Sequence, residues 1–548
     1  MSLISNLTDF FSSMPVPPHY QDILTNVSQQ PYASWRALAV SVILGIAFTA
    51  WRGSTSSKGK LPPGPRGLPL LGSVLDLRNN SPWLTFTAWN KEYGPLVHVS
   101  IAGHNAVILG THKVAADLLD RRSGIYSDRP RNIVVHELMN GKLAFASGSA
   151  DEFWKKMRKA SHEVLKTDVA KTYSPLQETE SLILLSQLIS SPSKYPYHVQ
   201  RASGSLMRTV LYGLPPFSDS SDPVLTYLDS YIERLVSGIA PGAYWVEYFT
   251  WMEHLPRWMA KWRRDAEDSF KRDDKFFKEV FAECRERLIK GDDTPSVAAK
   301  LIQEQSSSGL SDQEAAWLLA TLYLAGTEAS AGQILWFMLA LCLYPDIQKR
   351  AFEEVDRVVG PDRLPTLQDY DNLPYIQACV KETMRWRPLA PAGIPHRLRE
   401  DDVYEGYFIP KDTICIPNTW ALNHDPAMYG LDAEEFRPER HLNTDGQLLP
   451  SVPDTKEEGH VTYGFGQRIC VGRAVSNRSL FVEMASMVWC FQFTMGKDDQ
   501  GKTFVPDILS NGAPGVAYRP KWFPCVMTPR STDTQRIVEQ TKALHGVA

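Results

Sequence analysis

Cys470 stands in the run Tyr463-Gly464-Phe465-Gly466-Gln467-Arg468-Ile469-Cys470-Val471-Gly472, which constrains the fold more than any other stretch of the chain. Its glycines permit tight turns and close backbone contact, and they deliver one thiol to such a point, with an arginine two residues upstream. A lone thiolate is the axial ligand that one class of haem iron site requires, because it pushes electron density onto the metal. The plainer reading is an inert buried cysteine, a common state of free thiols; the fixed Gly, Arg and Cys spacing favours the ligand loop. Val471 to Phe491 is helical in character. A thiolate at a helix N-terminus is stabilised by the dipole.

The rest of the composition narrows the class. The chain has 548 residues, 43% of them hydrophobic and 22% charged, enough for a large globular core. A net charge of −4 provides no broad basic surface for nucleic acid. The seven cysteines, at 284, 342, 379, 415, 470, 490 and 525, lack pairing spacings, which argues against both a disulfide framework and a zinc cluster.

Ala37 to Trp51 is fifteen residues without a charge, bracketed by Trp35 and Trp51. A spanning helix usually needs about 20 residues, so the stretch is short, but tryptophans suit the interfaces. No basic n-region opens the chain and no small-residue cleavage site is evident, so an uncleaved anchor is favoured over a signal peptide. Arg52, Lys58, Lys60 and Arg66 follow it and only Arg36 precedes it. The positive-inside rule then puts the C-terminal bulk in the cytosol. The expected organisation is a lumenal segment 1–34, a transmembrane anchor 35–52, a proline-rich hinge 53–72, a catalytic domain 73–530 and a tail 531–548. Sequons at Asn6 and Asn26 fall on the translocated side.

Leu96 to Leu109 reads as two short strands, Val114 to Leu119 as helical, and residues 260–290 as a charge-rich solvated helix. Asp312 to Leu343 is long and apolar enough to suggest a second span. Glu328 and two small-residue clusters in its middle favour a buried central helix instead, since intramembrane charge is costly. Short strands recur between 393 and 418 and from 513 to 526. The fold class expected is mainly α with a smaller β region. Residues 244–262 hold Tyr244, Trp245, Tyr248, Phe249, Trp251, Trp258 and Trp262, which read equally as core or as a surface that dips into a membrane.

The Cys470 loop resembles the haem-binding loop of the cytochrome P-450 family, Phe-x-x-Gly-x-Arg-x-Cys-x-Gly. Gly466, Arg468, Cys470 and Gly472 match, and Tyr463 stands where the family usually has Phe. Further landmarks follow in the family's order across residues 61–526: Trp154-x-x-x-Arg158, Ala325-Gly326-Thr327-Glu328, Glu382-x-x-Arg385 and Phe436-Arg437-Pro438-Glu439-Arg440. The resemblance implies a cytochrome P-450 fold behind a single N-terminal transmembrane helix, with haem b as cofactor and Cys470 as its axial ligand. Tyr463 would pack its ring beneath the sulfur. Trp154, Arg158, Arg468 and His396 would face the haem propionates; by itself His396 reads as often as a satisfied loop histidine.

Glu328 would feed protons toward bound dioxygen, in a helix turn that opens around it. The family usually places Thr immediately after the acid, and here Ala329 stands there, leaving Thr327 or Ser330 to hold a water. Glu382, Arg385 and Arg440 would form a buried structural triad. The segments lining the pocket, around 121–146, 205–250, Leu319–Ala325, Pro388–Ile394 and Asn511–Val516, are mostly apolar or small and suit a lipophilic substrate.

What the resemblance implies is an endoplasmic-reticulum monooxygenase that hydroxylates or epoxidises a lipophilic molecule with electrons from NADPH–cytochrome P-450 reductase. Segments 395–417 and 425–440 look most like mushroom secondary-metabolism members, with terpenoids as the favoured substrates. Ala329 keeps open a haem-thiolate isomerase or dehydratase that needs no external electrons. A membrane-tethered haem sensor is the reading from another class.

Overall fold

The computed structural model describes Gly45 and residues 59–546, apart from 69–70, 78–80, 218–222, 240–241, 451, 508–511 and 514–516. The expected lumenal segment, the anchor (Gly45 apart), both sequons and the start of the hinge lie outside the described residues. Eleven of the helices matter here: α1 (Pro82–Tyr93), α2 (Glu152–Leu165), α3 (Ser174–Ser190), α4 (Tyr195–Tyr212), α5 (Pro223–Ile239), α6 (Lys261–Ile289), α7 (Asp312–Leu343), α8 (Pro345–Val358), α9 (Pro374–Trp386), α10 (Arg473–Cys490) and α11 (Thr534–Leu544).

The long apolar segment is the axle of the fold. Ser311 and Glu314 start α7 with a reciprocal capping box, and its 32 residues span roughly 48 Å at the α-helical rise. Among the described residues it alone is long and apolar enough to cross a membrane, yet 78% of its apolar window is buried inside the fold. It packs against α4, α6, α9 and α10, as a buried central helix should. The expected irregular turn is absent: α7 runs unbroken through Ala325–Ser330. Gly326 serves close packing there, since a Cβ would stand 2.1 Å from Met207 Sδ on α4.

The charge-rich helix α6 is solvated on one side only. Ala266, Ser269, Asp273, Phe277, Phe281 and Cys284 make a buried stripe at helical spacing. The predicted hairpin forms as β1 (Leu96–Ile101) and β2 (His104–Leu109), turning through Ala102 and Gly103, both at positive φ. The region from 393 to 418 adds β3 (His396–Arg397) and β6 (Ile414–Pro417), giving the sheet order β1-β2-β6-β3, with β4 (Asp402–Tyr404) and β5 (Tyr407–Ile409) as a small hairpin between them. Near the C-terminus β7 (Phe491–Met495) pairs β10 (Cys525–Pro529), and β8 (Gly512–Ala513) pairs β9 (Arg519–Pro520). The segment expected as a tail from 531 carries α11, whose Ile537 and Val538 are buried in the main core.

The helical stretch 114–119 is α-wound only at His112–Ala115, and Ala116–Arg121 continues as a π-helix. A second π-segment, Ile133–Met139, is held from outside by Glu247, whose carboxylate accepts from the Ile133 and Val134 amides at 2.9 and 2.8 Å. The aromatic region 244–262 is largely surface: Trp245, Phe249, Trp251 and Trp258 are 48–76% exposed.

One acid is buried against its nature. Both carboxyl oxygens of Glu483 on α10 lack a hydrogen-bond partner, and the residue is 1% exposed. Nearby, Glu180 on α3 is satisfied by Arg201 at 2.5 Å and Ser205 at 2.6 Å. Burial, then the Glu180 charge, pushes the Glu483 carboxyl up to about 8 from 4.5. Between these values the unfolded chain loses its proton while the folded chain keeps it, so stability falls as pH rises through that window, by about 1.4 kcal/mol per pH unit. Glu483→Gln is expected to remove this slope, so that its thermal midpoint rises relative to the parent chain from pH 5 to pH 8. Parallel pH profiles for the two would refute a neutral Glu483.

Candidate functional site

The Cys470 loop is built by close contact. Gly466 adopts a φ of +54° in the Gly466–Arg468 turn, and a Cβ there would stand 2.1 Å from the Leu119 carbonyl oxygen. Its amide donates to Asp120 Oδ1 at 2.5 Å, which fastens the loop to the first π-segment. The Cys470 amide donates to the Tyr463 carbonyl at 2.8 Å. Cys470 is accessible although protein surrounds it, so its sulfur faces an interior cleft. Burial raises the thiol's pKa, while the Gly472 amide, Arg158 and Arg473 oppose this by favouring the thiolate. The Tyr463 hydroxyl donates to Asn477 Oδ1 at 2.6 Å.

A knot of basic side chains lies beside the sulfur. Arg468 donates to the carbonyls of Ser127, Phe145 and Gly148 at 2.7, 3.2 and 2.5 Å. Its guanidinium lies 4.3 Å from the centre of the buried Trp154 ring. Burial lowers its pKa to about 10. Arg158 is also lowered by burial, and the Cys470 charge opposes this. His396 is buried with Nδ1 2.8 Å from the Tyr126 carbonyl, and burial, then Arg129, holds it well below the usual histidine range.

Arg129 was not singled out from the sequence. It is 8% exposed, donates to the Ile394 and Pro395 carbonyls at 3.0 and 2.7 Å, and is pushed down to about 9 by burial and by Arg468. Only its place in the loop Ser127-Asp128-Arg129-Pro130 marks it, and no periodicity reports on a loop. A cavity of 520 Å³, lined in part by Arg129, His136, Phe145, Trp154 and Arg397, opens beside this knot.

Arg129 is buried and Arg158 and Arg468 are half-buried within reach of one another, an arrangement that is costly without an anion. Asp128 is the acid that acts most strongly on Arg468, but it is already shared by Arg397 and Arg399, each at 3.3 Å. A dianionic prosthetic group fits this cradle: its carboxylates would meet Arg129, Arg158, Arg468 and His396, and the Cys470 sulfur would meet its metal. Haem with its two propionates has this donor complement.

On α7 the small residues form the accessible face. Ala325 is exposed in the middle of a helix buried on either side, and Leu322, Gly326 and Ala329 flank it at helical spacing as partly accessible positions. Thr327 is fully buried on another face, near Gly204 of α4, and its hydroxyl has no hydrogen-bond partner. Ser330 is buried as well. Glu328, 7% exposed, accepts from Gln200 Nε2 of α4 at 3.0 Å, and Arg519 donates to the other end of that amide at 3.4 Å. Across from it on α5, Asp229 is raised to about 6 by burial and by the Glu328 and Glu233 charges. Glu382 binds Arg385, Arg440 and also His441, a fourth member the sequence did not suggest.

A mainly helical fold with a small sheet region, a cysteine at an interior cleft and a cationic cradle beside it define a haem-thiolate protein. Residues 62–516 match the family model described as Cytochrome P450. A cytochrome P450 monooxygenase of Armillaria gallica is 46% identical over 92% of this chain and 97% of its own length. Cytochrome P450 monooxygenase iboC of Amanita muscaria is 36% identical over 92% and 98%. A zebra fish cytochrome P450 structure superposes with a TM-score of 0.65 at 23% identity, covering 82% of this chain and all of that one. The chain belongs to the cytochrome P450 family. It is a cytochrome P450 monooxygenase whose cofactor is haem with a cysteine thiolate as axial ligand. The family typically draws electrons from a reductase, acts on lipophilic substrates and, in eukaryotes, is membrane-associated.

Proposed function

We propose that Cys470 is the axial ligand, that Trp154, Arg158, His396, Arg468 and Arg129 hold the propionate edge, and that Gly466 and Tyr463 shape the ligand loop. The observation that carries this reading is the accessible Cys470 set beside buried Arg129 and half-buried Arg158 and Arg468, which share little neutralising charge. When bound, the haem supplies the dioxygen chemistry. The chain contributes its walls: Ala325 and Ala329 on the accessible face of α7 close the cleft without bulk. Glu328, bridged to Arg519 through Gln200, holds or passes a proton at its carboxyl oxygen. In sum a substrate R–H, O₂, NADPH and a proton give R–OH, water and NADP⁺.

The proposed substrate is a lipophilic small molecule of fungal secondary metabolism, a terpenoid by preference. The apolar α7 face and the fungal relatives support this reading. NADPH–cytochrome P450 reductase is the proposed electron donor, and the endoplasmic reticulum the proposed membrane. The anchor at 35–52 and the exposed Trp245, Phe249, Trp251 and Trp258 both suit a bilayer surface. The glycosylation proposed at Asn6 and Asn26 would show as a size shift on deglycosylation.

Ala329 favours a second reading, a redox-neutral isomerase or dehydratase. It places no hydroxyl beside Glu328 on the accessible face, and Thr327 is buried away from it. Membranes bearing the chain and the reductase, given NADPH, a terpenoid panel and ¹⁸O₂, separate the two. One ¹⁸O in the product with strict NADPH dependence supports oxygen insertion. Product formed without NADPH and without label establishes the redox-neutral reading instead.

A further inference from the structure

The Tyr463 hydroxyl is part of a directed chain. It donates to Asn477 Oδ1 at 2.6 Å, and Asn477 Nδ2 donates to Glu458 Oε2 at 3.0 Å. The polarity of this chain follows from its far end. An ionised carboxylate only accepts, so the Asn477 amide must turn its N–H₂ to Glu458 and its oxygen to Tyr463, and the phenol must donate. Glu458 is 9% exposed and held in place: Lys381 and Arg473 each lie 3.9 Å from its carboxylate, and Lys381 also donates to its carbonyl at 3.0 Å.

The near end of the chain reaches the ligand loop directly. Tyr463 accepts the Cys470 amide on its own carbonyl at 2.8 Å. Asn477 sits on α10, the helix that begins three residues after Cys470. Three segments are thus cross-linked around one sulfur: the Glu458 loop, the Tyr463–Cys470 loop and the second turn of α10.

We propose that Tyr463, Asn477 and Glu458 form a relay of positioning residues that clamps the Cys470 loop onto α10 and carries the influence of the Glu458 carboxylate to the thiolate side of the haem. Hydrogen bonds in series polarise one another. The carboxylate makes the Asn477 oxygen a stronger acceptor, which draws the phenol proton outward and leaves the Tyr463 ring richer in electrons. The Tyr463 phenol lies within electrostatic reach of the Cys470 sulfur, and an electron-rich ring there would disfavour adding an electron to the haem iron. The relay therefore lowers the reduction potential below that of the same site with a plain phenyl ring. The inference rests on Cys470 being the ligand.

The experiment is spectroelectrochemical titration of the haem-loaded full chain and of Tyr463→Phe, Glu458→Gln and the double variant. The carbonyl spectrum of each serves as the check on thiolate ligation. The expected result is a thiolate spectrum in all four and a more positive potential in both single variants. The double variant should match Tyr463→Phe, because the carboxylate acts through the hydroxyl. An unchanged potential in Tyr463→Phe overturns the relay. So does a Glu458→Gln shift that persists undiminished with Phe at 463, which would mean a through-space charge. Absence of the thiolate spectrum from the parent chain would instead overturn Cys470 as ligand, a distinct failure.

Discussion

Cys470→Ala is expected to give a folded chain that shows no thiolate-ligated haem. The sulfur faces an interior cleft and stands outside the buried hydrophobic clusters, so its removal leaves no packing cavity to destabilise the fold. What it removes is the sulfur that the glycine loop places beside the Gly472 amide and Arg158. Among the other cysteines, 284, 379, 415 and 490 are buried within the protein and present no accessible thiol to a ligand. The measurement is the reduced carbonyl difference spectrum, with the thermal unfolding curve as fold control. Cys470→His is the companion, since an imidazole ligand retains haem but changes its spectrum. A thiolate spectrum surviving in a folded Cys470→Ala chain would remove Cys470 from its role.

The ligand loop was legible in the sequence because its chemistry is local. Glycine spacing, one arginine and one cysteine fall within ten residues, and backbone geometry does the rest. The central helix was legible for a different reason: a 32-residue, mostly apolar stretch leaves few alternatives, and an acid in its middle rejects the lipid. The two strands at 96–109 followed from the apolar runs on either side of Gly103-His104-Asn105.

Features fixed by distant partners were not legible. The start of 133–139 is completed by Glu247, more than a hundred residues away, which accepts from the two amides that the local Asn132 cap leaves over. Arg129 gains its meaning from the carbonyls of 394 and 395 and from Arg468. Glu483 reads in sequence as an ordinary polar residue of a helix, and only the packing of α3 and α4 over it reveals an unsatisfied acid. The aromatic density at 244–262 left core and surface equally open, because composition carries no direction; exposure of four of its rings decides for the surface. Thr327 and Ser330 were grouped with Glu328 by adjacency, but neighbours on a helix point about 100° apart, and the structure puts the Thr327 side chain against α4.

Glu382→Gln is expected to destabilise the fold by about 3–5 kcal/mol, the cost of leaving buried charge uncompensated. One Glu382 oxygen accepts from Arg385 Nη2 at 2.8 Å, Arg440 Nε at 3.0 Å and the Arg437 amide at 2.8 Å. The other accepts from Arg385 Nε at 2.7 Å and His441 Nε2 at 3.0 Å. Burial alone would raise this carboxyl, but Arg385 and His441 hold it well below the usual range. Stability from the pair is therefore present above the unfolded value of 4.5 and is lost only as pH falls toward the depressed folded value.

The damage would reach the haem side. Arg385 also donates to the Asn423 and Ala433 carbonyls at 2.7 Å each, Asn423 donates to Thr462 at 2.9 Å, and Thr462 returns to the Met384 carbonyl at 2.7 Å. Thr462 adjoins Tyr463, whose carbonyl holds the Cys470 amide. Loosening α9 thus slackens the start of the ligand loop, and the variant should lose its thiolate spectrum at lower denaturant than it loses helix. The paired variant Glu382→Met/Arg385→Met should recover part of the loss, because no lone charge from that pair remains buried. A denaturant midpoint for Glu382→Gln equal to that of the parent would show that Arg385 and Arg440 are neutralised by other groups and that the carboxylate is dispensable to the ligand loop.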